Sequence, residues 1–233
     1  MAKKYSMVID LNRCVGCGAC DLACKSENNT PDGILWSNHI TKTTGEFPNT
    51  KYEYTPTLCN HCDNAPCVRS CPTTAMYKDD ETGMTLHDVD KCIGCMACMI
   101  SCPYDVISYN DRQPHGEKRR NAALVPGATF TPREMGDATN TPYPYFNSER
   151  EKTYAALRPK GAVEKCTFCD HRVKGGYMPA CVDACPGDAR IFGDLNDANS
   201  QVSRLTSQYE GVGLKPHKGT KPKVFYIRKY ARS

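Results

Sequence analysis

The sequence predicts an α+β fold of short strands and short helices, packed around bound metal as much as around apolar side chains. Three observations predict it. Cysteine accounts for 16 of the 233 residues. Those cysteines repeat one spacing four times. Hydrophobic residues reach only 39% with Tyr and Cys included, lean for a chain of this length. The length suits one or two domains, and so many thiols to order exclude disorder as the main state.

The cysteines form four groups with none left over. Group one is Cys14, Cys17, Cys20 and Cys24; group two is Cys59, Cys62, Cys67 and Cys71; group three is Cys92, Cys95, Cys98 and Cys102; group four is Cys166, Cys169, Cys181 and Cys185. Groups one and three read C-x2-C-x2-C-x3-C, and groups two and four widen the middle gap to four and eleven residues. Disulfides inside a group would close loops too small for unstrained geometry, and disulfides between groups would not explain the repeat. Structural zinc favours two C-x2-C knuckles separated by a longer loop. Group four alone offers that. Cubane ligation fits all four, with three cysteines holding one cluster and the fourth reaching to another. Pro72, Pro103 and Pro186 follow the fourth cysteine in three groups, where a fixed φ turns the chain away, and Lys25 takes that place in group one. The expected cofactors are four [4Fe–4S] clusters, their iron held by all sixteen cysteines. His61 and His171 are expected to be non-ligands, because thiolates already fill each site. Gly16, Gly18 and Gly94 sit inside these loops, where positive φ can aim amides at sulfur.

If each fourth cysteine crosses to a partner group, the four groups make two pairs. Groups two and three are only 20 residues apart, and that proximity favours pairing them as an inner unit nested within an outer unit of groups one and four. The ligand sets are then Cys14, Cys17, Cys20 with Cys185; Cys24 with Cys166, Cys169, Cys181; Cys59, Cys62, Cys67 with Cys102; and Cys71 with Cys92, Cys95, Cys98. Sequential pairing, one with two and three with four, stays open on spacing. The expected fold is two nested two-cluster ferredoxin-like units with long irregular insertions. Residues 1–58 and 110–200 form the outer unit, with an insertion at 111–164. Residues 59–109 form the inner unit and 201–233 a C-terminal tail.

Taken in order, residues 5–11 read as a strand entering group one. Short helical turns are expected between third and fourth cysteines and after the fourth. Residues 25–58, with the only tryptophan, Trp36, read as a long loop serving as a partner-docking surface or an insulating shell. Asp79, Asp80 and Thr82-Gly83 signal a turn before a short strand at 84–87. Residues 106–109 and 190–192 read as strands leaving groups three and four. The 111–164 insertion, with TPYPYF at 141–146 and the basic run Lys118-Arg119-Arg120, is a second docking candidate. Residues 211–223 read as irregular and 224–230 as a late strand.

No P-loop, no GxGxxG and no nucleophile–base pair is present, so no substrate site of the chain's own is expected. Saturated cubanes exchange single electrons, and the protein reads as a wire. Basic residues are scattered among acids, which excludes nucleic acid as a partner. The apolar stretches at 96–100 and 122–125 are far short of a membrane span, and the opening MAKKYSMVIDLNRC does not read as a secretory leader. The net charge is +4; four clusters at about −2 each would bring it to about −4. Arg13, Lys25, Lys91 and Lys165 flank the cysteine groups and oppose that charge.

The segments CVGCGACDLACK, CNHCDNAPCVRSCP, CIGCMACMISCPYD and CTFCDHRVKGGYMPACVDACPGDA resemble the four-cluster iron–sulfur subunit of the dimethyl-sulfoxide-reductase family of molybdoenzymes. The likeness runs over about residues 5–195. Within the family, the length and the opening MVIDLNRCVGCGACDLACKSENN are most similar to small subunits of arsenate respiratory reductases, then of polysulfide, thiosulfate and tetrathionate reductases. The resemblance implies nested pairing and a large catalytic subunit that alone carries the molybdopterin cofactor. It implies electrons arriving from a quinol-oxidising membrane protein or a cytochrome. It places the set of Cys14, Cys17, Cys20 and Cys185 toward the catalytic subunit and that of Cys71, Cys92, Cys95 and Cys98 at the quinol side. It implies a periplasmic complex exported with the partner, with the cytoplasm as the alternative location. A free-standing polyferredoxin is the alternative function.

Overall fold

Residues 6–9 are buried on both faces, which makes β1 (Tyr5–Asp10) the centre of a three-stranded sheet in the computed structural model. The structure describes residues 3–31, 33–111, 127, 129–140 and 158–229. The Lys118-Arg119-Arg120 run and the 141–146 segment lie outside them. β8 (Arg190–Asp194) flanks β1 antiparallel with Met7 opposite Phe192. β9 (Val224–Ile227) flanks it parallel with Met7 beside Val224. Alternation along β1 sends Met7 and Ile9 into a core with Trp36, Leu58, Met84 and Phe168. It sends Val8 the other way, against Ile191, Ile227 and Val202. The helix Gln201–Gln208 covers that second face, its first turn capped where the Ser200 hydroxyl accepts from the Ser203 amide. Fully buried Val202 contributes about 1.5–3 kcal/mol there. β9 ends before the expected 230 because Arg228 turns left-handed at φ 54 and its guanidinium closes on the Asp10 carboxylate.

The expected helical turns between third and fourth cysteines form at Ala19–Asn28, Pro66–Arg69, Ala97–Ser101 and Ala180–Asp183. Those expected after the fourth cysteine do not form in groups two, three and four. Proline disfavours the α region for the residue before it, and Cys102, before Pro103, is extended at φ −79 and ψ 114. Group one lacks that proline, and its helix runs on through Cys24 and Lys25 for 10 residues, stopping at left-handed Asn29. The Lys25 ammonium donates to the carbonyls of Thr30, Pro31 and Ile34 just beyond that end.

Residues 25–58 read as a loop but hold a ribbon, β2 (Ser37–Thr44) with β3 (Lys51–Leu58), paired from Ser37–Leu58 at its buried base to Thr44–Lys51 at its far end. Both outer faces are mostly exposed, so no apolar alternation marks the strands. β4 (Met76–Lys78) and β5 (Thr85–His87) form the hairpin between groups two and three. β6 (Ile107–Tyr109) pairs with β7 (Val163–Lys165), which brings the exit of group three beside the entry of group four. Fully buried Arg158 fastens this region to the group-one helix. It pairs with Glu164 at 2.5 Å, donates to the Asn28 and Asn29 carbonyls and lies over the Trp36 ring. Among the described residues no helix is long and apolar enough to cross a membrane.

Candidate metal centre

Each cysteine group begins with the same backbone device. The residue before the second cysteine is left-handed in all four: Gly16 at φ 67, His61 at φ 44, Gly94 at φ 70 and Phe168 at φ 56. Such a residue turns successive amides to one side of the loop, a concavity suited to anionic sulfur. Glycine is needed at position 94 for a second reason: a Cβ there would lie 2.0 Å from the Gly161 carbonyl oxygen. His61 and Phe168 take the strained conformation while their rings stack at 3.7 Å between groups two and four. Amides already donate to sulfur, from Phe168 to Cys166 at 3.4 Å, from Met76 to Cys71 at 3.5 Å and from Ala189 to Cys185 at 3.2 Å.

The fold brings thiols from different groups together. Cys59, Cys62, Cys67 and Cys102 line one hollow. Cys71, Cys92, Cys95 and Cys98 line another. Burial first, then the neighbouring Cys185 and Cys17, push the Cys14 thiol up, against the Gly16 amide. Burial, then Cys166, Cys169 and Cys181, raise Cys24 well above its usual range. Thiols of different groups also neighbour one another: Cys20 feels Cys181, Cys166 feels Cys59, and Cys62 and Cys67 share a core cluster with Cys98. Cys17 and Cys95 are the two exposed cysteines, and most of the others are buried.

Burial pushes Cys20, Cys62 and Cys98 to about 11 and Cys67 to about 12. Cys71 goes the other way: burial raises it, but donors from Met76, Thr73 and Ala75 more than offset that. Protonated, buried thiols are poor nucleophiles. Among the described residues no three His, Cys, Asp or Glu side chains converge to hold a single ion. Thiols spread around a hollow suit a polynuclear group, and the all-sulfur donor set with amides aimed at it fits a cubane. His61 and His171 have other duties. His61 Nδ1 accepts from the Thr85 amide, and His171 Nε2 meets Glu27 at 2.5 Å.

Two side chains beside the sulfurs carry no signal in a cysteine count. Asn28, one helical turn beyond Cys24, donates through Nδ2 to Cys24 Sγ at 3.4 Å. Buried His87 lines the hollow of Cys71, Cys92, Cys95 and Cys98. The i+4 spacing from Cys24 marks Asn28 in retrospect; His87 depends on where β5 lands.

Comparison with known proteins agrees with this geometry. The 4Fe-4S dicluster domain family matches residues 50–121 and 141–195, and a 4Fe-4S binding domain family matches residues 5–26. The arsenate respiratory reductase iron–sulfur subunit of Shewanella sp. (strain ANA-3) is 54% identical over 97% of this chain and 97% of its own length. A selenate reductase subunit of Mesobacillus selenatarsenatis is 37% identical over 96% of this chain and 72% of its own length. A tetrathionate reductase subunit of Salmonella typhimurium is 33% identical over the same shares, 96% and 72%.

Proposed function

This chain belongs to the 4Fe–4S dicluster family of reductase iron–sulfur subunits, and on that footing we propose that it relays electrons from a quinol-side donor to the molybdopterin catalytic subunit of an arsenate respiratory reductase. Four [4Fe–4S] clusters would supply one-electron exchange. Cys14, Cys17, Cys20 and Cys185 would hold the first, and Cys24, Cys166, Cys169 and Cys181 the second. Cys59, Cys62, Cys67 and Cys102 would hold the third, and Cys71, Cys92, Cys95 and Cys98 the fourth. The chain's own part is to space these sets, seal the middle ones from water and present the two ends.

One observation carries the reading: thiols from groups far apart in the chain meet, Cys20 near Cys181 and Cys166 near Cys59, while Cys17 and Cys95 alone among the cysteines are exposed. The ends are also dressed alike. Val15 and Leu22 stand 72% and 70% exposed at one, Ile93 and Ile100 67% and 88% at the other. Exposed apolar side chains around both termini suit two docking partners, the catalytic subunit at the first set and the quinol-side donor at the fourth. Arsenate as the terminal acceptor rests on the relative from Shewanella, and a periplasmic complex exported with the catalytic subunit rests on the family resemblance of the cysteine segments alone.

Anaerobic purification from the native host tests this. The chain should carry about four iron and four sulfide per cluster and co-purify with a much larger molybdopterin-containing chain. An iron-bearing solitary monomer would leave a free polyferredoxin instead. Nested pairing has its own test. Cys102→Ser should perturb the cluster of group two, and Cys24→Ser that of group four. Perturbation of groups four and two respectively would give sequential pairing.

A further inference from the structure

Arg190 opens β8 next to the fourth cysteine group, in a position that an apolar strand residue could fill. It is 3% exposed. Its Nη2 donates to the Ser37 hydroxyl at 2.8 Å. Its Nε and Nη1 find no hydrogen-bond partner among the described residues. A guanidinium never sheds its charge in a protein, and leaving its donors buried and unmatched is costly. What surrounds it is sulfur. Burial opposes the charge, but Cys181, Cys20 and Asp21, in that order, hold it in place and drive the group further toward protonation. The same cation pulls down the thiols of Cys14, Cys20 and Cys24 against the burial that raises them. Cys14 and Cys20 belong to the first set of thiols, and Cys24 and Cys181 to the second.

Asp21 acts on this cation through an intervening hydroxyl. Its Oδ1 accepts from the Ser37 hydroxyl at 2.8 Å and its Oδ2 meets His39 at 2.9 Å. Ser37 therefore sits between the carboxylate and the guanidinium and anchors one corner of the fork, while the Cys181 thiol lies within the guanidinium's hydrogen-bonding reach. The Arg13–Asp188 pair lies in the open, with both side chains at least 45% exposed, and is screened. Arg190 is the buried positive charge between the first two sets.

We infer that Arg190 is a potential-setting residue shared by the first and second clusters, its free guanidinium donors facing their sulfurs and stabilising the reduced state of both. Hydrogen bonds to sulfur and nearby charge raise the reduction potential of such clusters. The electron comes from the upstream donor and leaves to the downstream acceptor. No bond or proton moves at Arg190, which stays charged throughout. The inference rests on the four-cluster reading above.

The test is an EPR-monitored redox titration of the intact complex carrying Arg190→Gln or Arg190→Lys, alongside iron and sulfide analysis. With native iron content, Arg190→Gln should lower two of the four potentials and leave the other two in place. Arg190→Lys keeps charge but loses the fork, and should lower the same two by less. Four unchanged potentials, or an equal shift in all four, would overturn the inference. If the Gln variant assembles without its clusters, the Lys variant decides: native potentials throughout would overturn it as well. A native complex with no iron and sulfide would instead remove the four-cluster reading, so the two failures are distinct.

Discussion

Single residues carry constraints that differ in kind. At Gly94 the constraint is steric twice over, since φ is +70 and an added Cβ would stand 2.0 Å from a backbone oxygen. Left-handed geometry alone costs a non-glycine residue roughly 1–2 kcal/mol, and the clash with rigid backbone adds to it. Gly94→Ala should therefore cost the protein its fourth cluster while the first two stay bound, seen as loss of about a quarter of the iron. Gly18 has only a distant side-chain oxygen in range and bears the left-handed cost alone, so Gly18→Ala should retain full iron with a modest loss of stability. At Arg190 the constraint is electrostatic. It reads as one more residue in a strand until the fold sets it between thiols from both ends of the chain.

Among the elements, the four short helices show how one residue type changes an ending. Three stop at or before a cysteine that precedes proline, and the fourth, with Lys25 there, continues to Asn28. That longer helix delivers Asn28 to the Cys24 sulfur and its last carbonyls to Arg158. Proline inside it would remove a backbone donor and collide with the preceding turn, at about 3 kcal/mol or more. It would also strip the ammonium from three carbonyls. Lys25→Pro should thus lower the unfolding free energy by that amount and weaken the second cluster, whereas Lys25→Met should lower it far less. Thermal or urea unfolding of the holoprotein measures both. The short strands follow the cysteine loops: β4 and β5 return the chain from group two to group three, and β6 and β7 join the inner groups to group four.

Over the whole molecule, sulfur does part of the work of a core. Seven of the cysteines pack among the buried apolar residues of the two larger clusters, so metal binding and folding are coupled. Because burial holds most of these thiols above their ordinary range, they are protonated at neutral pH when not ligating. Ligation needs thiolates, so loading releases protons and weakens as pH falls. Anaerobic reconstitution should acidify an unbuffered solution and proceed further at pH 8 than at pH 6. At the two ends the prediction concerns partners. Leu22→Glu should weaken association with the catalytic subunit tenfold or more, about 1.4 kcal/mol, and leave the quinol-side contact unchanged. Ile100→Glu should do the reverse, and pull-down or sedimentation with each partner reads it.

The cofactor chemistry was legible in the cysteine spacing, because a cubane demands thiolates at short, repeated intervals and little else in a sequence imposes that pattern. The helical turns expected after the fourth cysteines did not form in three groups, because the proline there, itself legible in the sequence, ends them locally. The ribbon at 37–58, the stacking of His61 on Phe168 and the station of Arg190 beside thiols of two groups came from tertiary structure. Each depends on segments far apart in the chain meeting in space, and a residue's own neighbours in sequence hold no record of what packs against it.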